Sequence, residues 1–475
     1  MLAENQNDAG LRASGAAEVA AVLSDHLSAV LGKELPPAVV EKTKHHVLDT
    51  LAAMISGSRL KPGRLAIGYA AAQGGRPACT LVGTRILTDP VNAALANGIM
   101  AHADETDDSH LPGRYHPGCA VVPAALAVAE SRGMSGAHLI KAVAAGYDLG
   151  ARFSLALGYA SPEAGSHSSH CLGANFGAAA AAIALCRFGP QEVRSALSYA
   201  IQQASGIRFW QRDEEHVEKA FDFGGMGARN GVTAAALVAA GFTGVQDPFT
   251  GPHNFFSAFA DEARPGALVT ELGARHGVME ASIKKWCVGS PVQAVLDSVA
   301  ALLAAHDFHP DAIERVVLEL PDDRAALVSD RSMPDICAQH LAAVALLDRG
   351  LGFAMAHDYG RMRDPAVLAL RSRIELRPSA ELTRAKPGRQ AIVTLELSDG
   401  RVLSHRTYAV HGTPDNPMGR ADVAAKCIDL AGPVVGAAAA RQLAAAAWEL
   451  DTCADVRSLR PLLQADPVTE STSRR

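Results

Sequence analysis

Apolar residues recur at helical spacing over most of the chain, and the breaks in that pattern mark its organisation. Val19–Leu31 has one apolar face. Leu35–Ser56 has a stronger one: Pro36 and Pro37 suit a helix start, Val40, Val47, Leu51 and Met54 share a side, and Gly57 suits a stop. After a loop, Val91–Met100, Ala120–Arg132 and Gly136–Ala156 read as helices. Ser166–Gly177 reads as a polar turn feeding Ala178–Cys186, a helix with no polar face that must be buried all round. Pro190–Ser205 is a further helix, Arg208–Gly231 a polar loop, and Val232–Ala240 is helical again.

The pattern changes near Ile283. Arg315–Leu320, Arg373–Arg377, Ala391–Leu397 and Arg401–Val410 read as strands; the last two alternate apolar and polar residues and are joined through Ser398-Asp399-Gly400, a hairpin signal. Helices are expected at Asp335–Asp348 and Pro365–Arg371. After Pro414 and Pro417 the chain returns to Ala-rich helices, Ala421–Leu430 and Gly436–Ala447. The expected fold is mainly α. Residues 15–282 and 413–462 form a large all-helical domain, residues 283–412 a smaller α+β domain, and 1–14 and 463–475 loose termini.

Composition sharpens this picture in few places. Aromatics are only 5% of the 475 residues and alanine is abundant, so helices can approach closely. The net charge of -6, with no basic tract, argues against nucleic acid as a partner. The N-terminal residues lack the basic-then-apolar order of a secretory signal, and no apolar run reads as long enough to span a bilayer. The 8 cysteines are scattered without a Cys-x-x-Cys pair, which points to reduced thiols in a cytoplasmic protein.

Candidate chemistry concentrates in Asn97–Gly118, NGIMAHADETDDSHLPGRYHPG, between two apolar helices. His102, Asp104, Glu105, Asp107, Asp108, His110 and His116 all fall there, and polar groups at the edge of a core need partners or a task. For at least two of Asp104, Asp107, Asp108 and Ser109 the ordinary task is capping and turn formation. No helical His-Glu-x-x-His order exists, and no metal is expected. His116 precedes Pro-Gly, which fixes its backbone and suits an acid or base. His167 and His170 stand before the apolar helix, and on the residues alone either imidazole can face the first segment. Lys219, flanked by apolar residues in HVEKAFDFGG, suits a carboxylate or proton-transfer partner. The glycines after it lack phosphate-loop spacing. Lys284 or Lys285, with Ser290, lies at the domain boundary, where clefts form.

The order of these motifs resembles the MmgE/PrpD family of 2-methylcitrate dehydratase and cis-aconitate decarboxylase. The likeness runs from about Leu35 to Leu430: Asn97-Gly98…His102…Asp107-Asp108-Ser109-His110…His116-Pro117-Gly118, then a His-containing turn before Gly-x-x-Phe-Gly-Ala-Ala, then Lys219-x-x-x-x-Gly, then Lys284-Lys285-Trp286. Asp364–Leu376 and His411–Met418 add to it. The resemblance implies a homodimer whose smaller domain is a lid, a site between the domains, and no metal or organic cofactor. It implies that His116 belongs to an acid/base pair, that His167 is a second active-site histidine, that Lys219 is the active-site lysine, and that Ser109 stands where a threonine contacts substrate. Glu105, His102, His170, Lys284, Lys285, Ser290 and Gln293 complete the expected substrate-contacting set. Glu105 replaces a frequent Asp, Gln293 a third histidine, and Leu341, beside His340, a tyrosine of the lid.

The chemistry so implied starts from a small hydroxylated or unsaturated di- or tricarboxylate. Lys219, with Lys284 or Lys285 and Arg208 or Arg229, would neutralise its carboxylate while His116 moves a proton at carbon. The expectation is a lyase, a dehydratase first. An isomerase, epimerase or decarboxylase is the alternative, and a non-catalytic polycarboxylate binder the reading of another class.

Overall fold

The computed structural model describes residues 18–159 and 167–465. These fall into two compact units, one built from the chain up to Ala281 and from Ala424 onward, the other from Ser282–Val423. The expected loose termini, 1–14 and most of 463–475, lie outside the described residues.

The first unit is helical. Its elements are α1 (residues 18–29), α2 (Pro37–Gly57), α3 (Lys61–Gln73), α4 (Pro90–Ala101), α5 (Gly118–Arg132), α6 (Gly136–Ala156), α7 (Ser169–Cys186), α8 (Pro190–Gln202), α9 (Val217–Ala220) and α10 (Met226–Ala239). Proline sets the start of several: Pro37, Pro90 and Pro190 occupy the first position, where no amide partner is required. α5, α6, α7 and α10 pack on one another and supply the core. α7 is buried from Cys171 to Leu185, as its featureless apolar sequence demands. It is also long and apolar enough, by length and composition, to cross a bilayer, which corrects the expectation that no run is; 83% of it is buried in the protein, so packing accounts for its character.

Three further expectations are corrected. The stretch after Gly57 is not a plain loop: Lys61–Gln73 is α3. The helix expected from Ala178 begins at Ser169, capped by the Ser168 hydroxyl, so His170 lies in a first helical turn and not in a loop. Arg208–Gly231 is not a loop either. It holds a short 3-10 turn, Arg208–Arg212, then α9, then a π-helical stretch, Phe221–Gly225, that runs straight into α10. The unit also has a short antiparallel strand pair, Cys79–Thr80 with Leu87–Thr88.

The second unit holds a four-stranded sheet of β1 (Ile313–Pro321), β2 (Ile374–Ser379), β3 (Ala391–Leu397) and β4 (Val402–Thr407), in the order β2-β1-β3-β4. β1 and β2 are parallel; the other pairs are antiparallel. Alternation in β3 buries Ala391, Val393, Leu395 and Leu397. They meet α11 (Gln293–Ala305) and α12 (Ala338–Leu347) in one apolar cluster that includes Val295, Val299, Leu341 and Val344. Leu341 is thus a core residue of this unit. The 8 cysteines are all free thiols, six of them buried.

Candidate active site

The acidic segment between α4 and α5 is held from beneath by buried polar groups. Asp108 is the anchor. It accepts hydrogen bonds from the His46 ring (2.6 Å), the Tyr147 hydroxyl (2.6 Å) and the Gly118 amide (2.9 Å). Burial opposes its charge, but the His46 and Tyr147 bonds outweigh it and hold the carboxyl below its ordinary range. Lys426, on the returning helix Arg420–Val435, donates to the Thr106 carbonyl (2.9 Å) and pairs with buried Asp49 (2.6 Å). Asp104 bonds the Thr106 amide and hydroxyl, the ordinary turn role. Asp104 and Asp108 are therefore the structural pair among the acids of this loop.

The same loop delivers functional groups to one place. His102 and Asp107 are wholly buried, and the rings of His102 and His116 lie 5.0 Å apart. One oxygen of Asp107 lies 3.0 Å from His102 Nδ1 and 3.2 Å from His116 Nδ1. His170 arrives from the start of α7, its ring 5.5 Å from that of His116. Phe223, in the π-helical stretch, is sandwiched by imidazoles: His170 stacks on it at 4.1 Å and His102 at 4.5 Å. Lys219, on α9, is paired with Glu105 and sits 5.2 Å from the Phe223 ring and 5.6 Å from Trp210. His216 adds a fourth imidazole, 5.2 Å from His102, on a backbone of φ +58°.

Burial dominates the electrostatics. It pushes His170 well below the usual imidazole range, and the neighbouring His116, Lys219 and His102 add repulsion that Glu105 only partly offsets. His216 is pushed down to about 3 by burial, then by Lys219 and His102. Both are neutral rings at pH 7. Just behind the cluster, Asp222 is pushed up to about 7 by burial while it accepts a hydrogen bond from Ser168 (2.6 Å).

The structure brings some of the residues singled out from the sequence together and leaves others apart. His102, Glu105, His116, His170 and Lys219 come together. His167 does not join them: it is exposed, pairs through its backbone with Ile207, and its ring meets Phe259 at 5.5 Å. Helix α7 begins between the two histidines, so they point to different places. Ser109 is buried beside the loop, its hydroxyl without a partner among the described residues. Arg229 is spent on Asn230 and the Phe221 ring. Lys284, Lys285, Ser290 and Gln293 belong to the second unit. There Lys284 is buried, Lys285 lies 4.6 Å over the Trp286 ring, and Ser290 opens a short 3-10 turn. Both amide hydrogens of Gln293 go to backbone, the Trp286 and Val288 carbonyls (2.8 and 3.0 Å), and its oxygen accepts from the Trp286 amide. It is a turn-holding residue, not a carboxylate clamp, which corrects its expected role. Asp107, His216, Phe223 and Trp210 were missed. Asp107 was visible only as one of four acids.

Among the described residues, two sets of donor atoms lie within 4.8 Å of one another and could hold a metal ion, His102–Glu105–His216 and His102–Asp107–His116. Both sets already serve protein contacts, Glu105 with Lys219 and Asp107 with two rings, and a dication at the first would meet the Lys219 ammonium. A separate cavity of about 360 Å³, lined by His110, Asp148, Arg152, Arg275 and Glu280, contains no member of the cluster.

Comparison with known families decides the lineage. The MmgE/PrpD N-terminal domain matches residues 21–267, and the MmgE/PrpD C-terminal domain matches residues 286–451. The chain belongs to the MmgE/PrpD family. Among its curated relatives, the cis-aconitate decarboxylase-like protein oryM of Aspergillus oryzae is 25% identical over 94% of this chain and 98% of its own length. Human cis-aconitate decarboxylase is 25% identical over 82% of this chain and 83% of its own. The cis-aconitate decarboxylase of Aspergillus terreus is 29% identical over 44% and 43%. Every residue of the imidazole cluster lies inside the N-terminal family domain, from His102 to Phe223.

Proposed function

We propose that this family member is a lyase acting on a small hydroxylated or unsaturated di- or tricarboxylate, with His116 as its proton-transfer group. The observation that carries this is the convergence of His116, His170 and Lys219, from three separate parts of the chain, around one aromatic ring. Substrate carboxylate would take Lys219 from Glu105, exchanging one ion pair for another at little electrostatic cost. The amine then neutralises the carboxylate next to the reacting carbon. Phe223 and Trp210 wall the site with low-dielectric surface, which strengthens that pairing.

Two lyase reactions fit this arrangement. In decarboxylation, a C–C bond breaks, carbon dioxide leaves, and the electron pair left on carbon takes a proton from the His116 imidazolium. In dehydration, His116 removes a proton from carbon and the hydroxyl departs with its electron pair and a proton from an acid. The relatives' names support decarboxylation. So does the neutrality of buried His170, a poor donor to a departing hydroxyl. Dehydration is the second reading, supported by the same His116–Lys219 geometry. Epimerisation would need the same two groups; proton exchange into substrate from deuterated water, without loss of water or carbon dioxide, distinguishes it.

The test is His116→Ala, assayed on a panel of citrate-like and aconitate-like acids. The expected loss is about a hundredfold or more on any acid the native protein turns over. Undiminished turnover by the variant refutes the assignment. Tight binding of an acid with no turnover by native protein would instead support a non-catalytic binder.

A further inference from the structure

We infer that Asp107 is the positioning residue of the site: its carboxylate sets the tautomer of His116 and supplies the countercharge when that ring becomes an imidazolium. The inference rests on the proposed role of His116, but its structural half stands without any substrate. The Asp107 side chain is wholly buried, and its Oδ1 lies 3.0 Å from His102 Nδ1 and 3.2 Å from His116 Nδ1. An ionised carboxylate only accepts hydrogen bonds. His116 Nδ1, hydrogen-bonded to that oxygen, must therefore carry its hydrogen, and the neutral ring keeps its lone pair on Nε2. For His116 that fixes Nε2 as the atom that meets substrate.

The carboxylate is itself rigidly placed. The residue before it, Thr106, is held through its carbonyl by Lys426, and the residue after it, Asp108, by His46, Tyr147 and the Gly118 amide. Two neighbours fixed on both sides leave Asp107 little freedom to turn away. A base whose orientation comes from a second group is the general logic of acid–base sites. Here Asp107 is that second group for His116. The groups facing His116 are His102 at the end of α4, His170 from α7, Phe223 from the π-helical stretch, and Asp107 within its own loop. Lys219 and His216 stand beyond, with Glu105 neutralising Lys219. Asp107 is bonded to the ring that changes charge.

The role holds for either direction of proton transfer. Taking a proton from carbon or giving one, His116 passes through the imidazolium, and its Nδ1–H then faces a negative oxygen. The first measurement needs no variant and no substrate. Selective 15N-histidine labelling and NMR, with the signal assigned by its loss in His116→Gln, should show the neutral His116 ring protonated at Nδ1. A His116 ring protonated at Nε2 overturns the inference.

The second measurement uses Asp107→Asn, whose amide oxygen can still accept the His116 bond but carries no charge. The expected outcome is a folded protein with kcat lowered about a hundredfold and KM little changed. The limb of the pH–rate profile that His116 controls, on whichever side of the optimum, should move to lower pH, because the imidazolium has lost its countercharge. A lowered kcat with the limb in place would make Asp107 a purely structural residue and end the inference. Full activity of His116→Ala, with the native His116 ring protonated at Nδ1, would sink the lyase reading and leave the tautomer control standing.

Discussion

The two histidines that flank the start of α7 show how finely a single residue is assigned. Ser168 caps the helix, and that choice sends His170 inward onto Phe223 and leaves His167 on the outside. His170→Asn, which loosens the ring packing that places Phe223 and His116, should therefore lower turnover by up to about a hundredfold, while His167→Asn stays within a few-fold of the native rate. Steady-state kinetics on the same acid decides between them, and the opposite ranking would restore His167 to the site. The sequence made His116 and Lys219 legible because each sits in an unusual context, before Pro-Gly and among apolar residues. It could not separate His167 from His170, because a cap is visible only once the helix start is known. Asp107 was illegible for another reason: four acids within five residues have the same local signal, and only three dimensions show which one meets two rings.

At the scale of elements, the misread stretches share a cause. Gly173 and Gly177 suggested a turn, and Gly224, Gly225, Gly227 and Gly231 a loop. All six lie in helices, at places where backbones nearly touch. A Cβ on Gly146 would lie 2.7 Å from the Gly177 carbonyl oxygen, and one on Gly150 2.6 Å from that of Gly173. A Cβ on Gly98 would lie 2.9 Å from the Gly224 backbone. In an Ala-rich protein glycine thus reports close helix crossing, not a bend, and local pattern alone cannot tell the two apart. The π-helical stretch inserts one extra residue in its turn just past Lys219, at the crossing of α4 and α10. Gly98→Ala should force the α4 crossing apart and cost about 1–3 kcal/mol of stability. It should also displace Phe223 and so weaken turnover at temperatures where the variant is still folded. Thermal unfolding and kinetics on one preparation check both effects; a stable variant of normal activity would show that the crossing is slack. The strands of the second unit, by contrast, were readable, since period-two alternation in β3 is a one-dimensional signal.

For the whole molecule, buried titratable groups set the response to acid. His26, His46, His110 and His340 are pushed down to about 4, and His216 to about 3, in each case chiefly by burial. A depressed imidazole contributes stability that is complete above its ordinary value of 6.5 and is lost as pH falls through the folded value. Asp49 and Asp222, pushed up to about 6 and about 7, act oppositely: their contribution is complete below 3.8 and is lost as pH rises through those values. Five imidazoles outnumber two carboxyls, so Tm should fall steadily as pH is lowered from 6.5 towards 4. Calorimetry across that interval checks the sign, and a Tm that rises on acidification would show that the carboxyls dominate.

The tie between Lys426 and the Thr106 carbonyl has a consequence for biosynthesis. A ribosome that has released the chain through residue 281 has already presented every imidazole of the cluster, yet the ammonium that steadies the loop, 320 positions later, is still untranslated. Throughout that interval the nascent helical half carries Asp49 buried without its cation, or unburied with the loop undocked. Assembly of this cluster therefore waits on residues translated well after those that line it, and a chain stopped before Lys426 would lack the cation that holds its loop.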